Sequence, residues 1–200
     1  MRYQLYILPL ATILCLPALA QEQPKDEPMR QLGAHAHGTA KLGIAFERRT
    51  VEMELEAPAA DIVGFEHAAK TAEQKQAMAQ ARATLAKPLA LFRLPDAAGC
   101  KVTSAKVKFV GGGSHDHGHS HGHSHGKSAK GKEPDTHAEF HAEYTLNCAK
   151  PELVQSIMFD YFKSFPRAEA LDITVVGGKG QAAKLKATRD KPQVDLKGTS

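Results

Sequence analysis

The chain is poor in the features that announce most protein chemistry. It holds three cysteines in 200 residues and none in CxxC spacing, so a thiolate zinc knuckle or ribbon is excluded. No HExxH run is present and no Ser, His and Asp set is suggested, and the Glu66-His67 pair has no helical partner, so an enzyme is not expected. Apart from Leu5 to Leu16, no apolar run approaches the ~20 residues that span a bilayer, which argues against stable membrane insertion. The formal net charge is only +4, with basic residues scattered among acidic ones and no aromatic–basic interleaving. That excludes nucleic acid as an expected partner.

The one long apolar run belongs to a leader. Arg2, the run Leu5 to Leu16, and the small-x-small pattern Ala18-Leu19-Ala20 before Gln21 read as a signal peptide over residues 1–20, cleaved after Ala20. Leu14 stands before Cys15 where lipid attachment would call for a small residue, so cleavage is the expected fate. Residues 21–34 are polar, contain two prolines, and read as a disordered leader. The remainder, 35–200, is expected to be a single metal-binding domain with an insert over 111–136. It is too short for two lobes closing on a metal. Export leaves Cys100 and Cys148 in an oxidising space, where a disulfide is the natural reading and a Cys/His metal site the alternative. A bridge closing about 49 residues stabilises by roughly 4 kcal/mol in the chain-entropy model.

What the chain has in abundance is histidine, and six of its eleven lie in one tract, Gly111 to Lys132, spaced by Gly, Ser and Asp. Gly and Ser spacers have almost no side chain to pack, so the tract cannot build a core and is justified by metal chemistry. Alternate side chains of an extended chain stand ~7 Å apart, whereas two imidazoles on one tetrahedral zinc are only about 3.3 Å apart. The glycines must therefore bend the backbone. His115, His117, His119, His121, His123 and His125 offer many near-equivalent ligand sets, a collector rather than a discriminator. With no thiolate among them they suit Zn2+, Ni2+ or Cu2+. A solvated linker with incidental metal affinity is the bland alternative.

Around the tract the pattern is of strands. Leu42, Ile44 and Phe46, then Val51, Met53 and Leu55, alternate with polar residues about Arg48-Arg49 as a hairpin with one wet face. Residues 57–70 read as irregular or a short helix. Thr71 and Gln74 have capping-box spacing before a helix whose weak apolar stripe, Met78, Ala81 and Leu85, runs until Pro88. Cys100 to Val110 and His137 to Cys148 read as a long hairpin with the tract at its tip. Direct pairing of the cysteines would put Lys106 and Lys108 on the apolar face, so a β-bulge near Thr103-Ser104 is expected. Pro151 to Phe165 reads as a helix or a strand, the i, i+4 pattern favouring a helix, Leu171 to Val175 as a strand turning at 177–180, and Ala183, Leu185, Val194 and Leu196 as closing strands. The sum is an α+β domain with a mostly antiparallel sheet, two or so packing helices and a disordered His-rich loop.

Ordered ligands are also available. His35 and His37, one residue apart, share a face if extended, and His137, Glu139, His141 and Glu143 line one strand face at period two. For the two glutamates a solvated outer face is the competing reading. His67 fits a ligand or a capping or core histidine beside Phe65 equally well.

The runs His35-Ala36-His37-Gly38, Gly64-Phe65-Glu66-His67, Glu139-Phe140-His141-Ala142-Glu143-Tyr144 and Phe162 to Pro166, with a His-rich insert between central strands, resemble the periplasmic zinc-regulated ZrgA proteins of Gram-negative bacteria. The resemblance covers nearly all of the chain after the leader. It implies a periplasmic zinc-binding protein that scavenges or buffers Zn2+ and works beside a zinc ABC importer or its solute-binding protein. It also implies His35, His37, His67, His137 and His141 as ligands. The insert departs from the family in being nearly all His, Gly and Ser, with only Asp116 and Asp135 nearby. Sequestration of nickel or copper is the alternative function.

Overall fold

A computed structural model describes residues 37–111 and 137–197. The leader readings over 1–34, His35 and the six tract histidines lie outside the described residues. The first hairpin forms as its alternation predicts: β1 (Thr39–Glu47) and β2 (Thr50–Pro58) pair antiparallel, Leu42 opposite Leu55 and Ile44 opposite Met53. Every second residue is buried, and the glutamates between them face out. A single helical turn, α1 (Ala59–Ile62), follows, then α2 (Ala72–Leu85). The predicted capping box starts α2: Gln74 N–H donates to Thr71 Oγ1 at 3.2 Å and Thr71 N–H to Gln74 Oε1 at 3.3 Å. Only Ala81 and Leu85 of this helix are buried, as its alanine-rich stripe implies.

The chain then makes α3 (Pro88–Leu91), the short β3 (Phe92–Arg93), and the long strands β4 (Cys100–Val110) and β5 (Glu139–Cys148). The register of β4 on β5 shifts between Val102 and Ser104, which places Val107 opposite Ala142 and Phe109 opposite Phe140. The expected bulge is present, and it turns the lysines of β4 to the wet face. The disulfide joins Cys100 to Cys148 at the end of the hairpin away from Gly111 and His137.

Pro151 to Phe165 corrects the expectation of a helix. It forms a 3-10 turn at Pro151–Leu153, strand β6 (Ser156–Phe159) and a one-turn helix, α4 (Tyr161–Ser164). Ile157 and Phe159 are buried while Ser156 and Met158 are half-buried, the period-two signature of a strand. Its partners are distant in sequence: Phe159 faces Phe92 on β3, and Ile157 faces Val194 on β9 (Gln193–Asp195). Local i, i+4 spacing loses to tertiary pairing here. The last hairpin is β7 (Ala170–Val176) with β8 (Ala182–Thr188). Val194 therefore closes a second sheet, not the first.

The large sheet has the order β4-β5-β2-β1-β7-β8, antiparallel except where β1 runs parallel to β7, and the small one β3-β6-β9. This is an α+β architecture. Phe92 bridges the two sheets, its ring 5.9 Å from Tyr144 on β5, 6.0 Å from Phe159 on β6 and 6.2 Å from Tyr161 on α4. Among the described residues no helix is long and apolar enough to cross a membrane.

Candidate metal centre

Three side chains from three separate segments converge beside α1. His37, Glu66 and His137 each offer a ligand atom, and these atoms lie within 4.8 Å of one another. Glu66 stands between the histidines: its Oε2 accepts from His137 Nδ1 at 2.8 Å, and its Oε1 is 3.6 Å from His37 Nδ1. The two imidazole rings meet edge to face, 5.9 Å between centroids.

The short helix α1 organises all three. At its first residue, the Ala59 N–H donates to Ala138 O at 2.8 Å, fixing the backbone next to His137. At its third, the buried Asp61 carboxylate accepts the Gly38 N–H on both oxygens at 2.9 Å, fixing the backbone next to His37. At its end the Gly64 N–H donates to Ala60 O at 3.0 Å, and the chain turns out through Phe65 to Glu66. Burial pushes the Asp61 carboxyl up from its ordinary range, against the opposing pull of the Gly38 N–H and of His37, while Glu169 and Glu66 push the same way as burial.

Two glycines permit this geometry. Gly38 has φ +85°, and its carbonyl accepts from both Glu169 N–H and Ala170 N–H, 2.7 and 2.9 Å, which ties the His37 turn to the start of β7. Gly111, φ +82°, brings the end of β4 so close to His137 that a Cβ there would lie 2.4 Å from the His137 carbonyl oxygen. Gly111, the first residue of the tract, therefore lies beside a residue of the group.

Two imidazoles and one carboxylate are a zinc donor set that leaves a coordination position open. Ligand atoms on one tetrahedral zinc lie about 3.3 Å apart, and the three here, all within 4.8 Å of one another, would have to draw together to bind it. The His37 side chain is 62% exposed and that of His137 40%, whereas Glu66 is at 22%.

The other sequence candidates lie elsewhere. His37 sits in the turn before β1, not on a strand, and its companion His35 lies outside the described residues. His137 lies just before β5, where it keeps the alternation of the row, and its Nδ1 is bonded to Glu66. Glu139 and His141 pair with each other, His141 Nε2 donating to Glu139 Oε2 at 2.9 Å. His67 turns aside: its ring stacks on Phe65 at 5.1 Å and its Nδ1 donates to Ala68 O. Glu66 and Asp61 were not among the residues selected from sequence. Glu66 lies in the Gly64-to-His67 run that was singled out, but an irregular segment has no periodicity to say which of two neighbours turns inward.

A family model of ZrgA family zinc uptake proteins matches residues 34–196. The chain belongs to that family. No curated protein matches it. Membership ties the chain to zinc, and the His37–Glu66–His137 group is compatible with that ion.

Proposed function

We propose that this ZrgA family member is a periplasmic zinc scavenger that collects Zn2+ on its histidine tract, holds it at His37, Glu66 and His137, and yields it to a zinc ABC importer or its solute-binding protein. The observation that carries the reading is the convergence of two imidazoles and one carboxylate from three segments on one point. An open coordination position suits a site that exchanges its metal, because an incoming ligand can bind before one is lost. Both ring-bearing ligands are accessible to a partner. The tract, lying directly before His137 in sequence, supplies capacity.

The test is competition titration with zinc, nickel and copper of the protein and of a variant carrying His115→Ser, His117→Ser, His119→Ser, His121→Ser, His123→Ser and His125→Ser. Retention of one tight zinc equivalent in the variant supports the reading. Loss of all tight binding would make the protein a tract-only sponge, and a preference of the retained site for nickel or copper would favour sequestration of those ions.

A further inference from the structure

We propose that Asp61 is a positioning residue of the metal site: its carboxylate holds the Gly38 amide, and through it His37, in reach of Glu66 and His137. The inference rests on the metal-site reading above and names a residue outside the ligand set. Asp61 is the sole buried charged residue among those described, 4% exposed. A buried carboxylate is costly unless something requires it. Both oxygens converge on one backbone N–H, at 2.9 Å each. A neutral acceptor such as asparagine would satisfy that single amide, so the hydrogen bond explains the shape of the residue but not its charge.

The position of Asp61 explains the charge. It lies on α1, the element from which the Glu66 turn departs and to which the backbone beside His137 is tied. Its hydrogen bond ends one residue from His37. His37 is the most exposed of the three ligands and the one farther from Glu66, 3.6 Å against 2.8 Å, so it is the ligand whose placement most needs support. A carboxylate fixed on the backbone beside a metal-binding histidine places that ligand, and its charge-assisted bond to the Gly38 N–H holds the backbone more firmly than a neutral acceptor would.

The experiment is a double-mutant cycle in the full chain with the six tract histidines replaced by serine, zinc affinity being read by competition with a chromophoric chelator. Asp61→Ala is expected to weaken binding about 10- to 100-fold. Asp61→Asn, which keeps an acceptor but not the charge, is expected to weaken it about 5-fold. Both losses should shrink below about 2-fold once His37→Ala is present, because the residue acts through His37. Equal losses with and without His37, or no loss at all, would overturn the role. Should Asp61→Ala fail to fold, the Asp61→Asn cycle decides alone. If His37→Ala, Glu66→Ala and His137→Ala each leave the affinity unchanged, the metal site falls and this role with it. If those three matter and Asp61 does not, only the positioning role falls.

Discussion

Among the described residues two histidine–glutamate arrangements stand out, and they are built differently. Glu139 and His141 come from one strand at period two, meet at 2.9 Å, and face Pro58 and Glu56 across β2. On their other side His141 lies opposite Lys108 of β4, whose ammonium is 3.6 Å from Glu143. His37, Glu66 and His137 come from a turn before β1, an irregular segment after α1 and the chain entering β5. A flat strand face spreads its side chains and ladders them with opposite charges, so it yields pairs. Irregular segments clamped to a common short helix bring three ligand atoms to one point. The lesson is that ligand density along a sequence is a poorer guide to a metal site than the convergence of backbone turns.

Substitutions should separate the two arrangements sharply. With the tract histidines replaced by serine, Glu66→Ala and His137→Ala are expected to lower zinc affinity by about 100-fold, as loss of one of three ligands should. His141→Ala and Glu139→Gln should change it by less than about 3-fold. A large loss at His141 in the same competition assay would erase the distinction. Acidification comes next: zinc must displace protons from two imidazoles, so below neutral pH affinity should fall steeply, approaching about 100-fold per pH unit. A carboxylate-only site would not show that slope above pH 5.

Removing the disulfide separates fold from site. Cys100→Ser with Cys148→Ser should cost about 4 kcal/mol of stability. That corresponds to a fall in Tm of roughly 8–16 °C by calorimetry. Zinc affinity of the folded protein should stay within about 3-fold, because the bridge lies at the far end of the hairpin. The smallest effect concerns Asp61. Its carboxyl is raised by burial above its ordinary value, so between the unfolded and folded values the folded state holds more protons and stability falls as pH rises through that window. His37 opposes this rise, and Glu66 and Glu169 support it. In the absence of metal, the Tm of Asp61→Asn relative to the parent should therefore increase from acid to neutral pH. A pH-independent difference would contradict the assignment.

Much of the scaffold was legible in the sequence because its signals are local. Alternation at Leu42 to Phe46 and Val51 to Leu55, the capping box at Thr71 and Gln74, and the parity of Val107 and Phe109 against Ala142 and Phe140 each determine local structure from near neighbours. The disulfide followed from two cysteines and the expectation of export. What was not legible depends on distant partners. Ile157 and Phe159 are a strand only because β3 and β9 lie alongside, and β1 meets β7 in parallel across more than a hundred residues. The site follows the same rule. His37 and His137 were visible as ligand types, but Glu66 joins them only through contacts that α1 makes with Gly38 and Ala138.

The most direct test of the central claim is zinc K-edge X-ray absorption on the serine-substituted protein loaded with one equivalent of zinc. The account predicts a nitrogen/oxygen shell at about 2.0–2.1 Å, no sulfur, and two imidazoles by multiple scattering, one of which disappears in His137→Ala. An imidazole count that is unchanged by His137→Ala would contradict it.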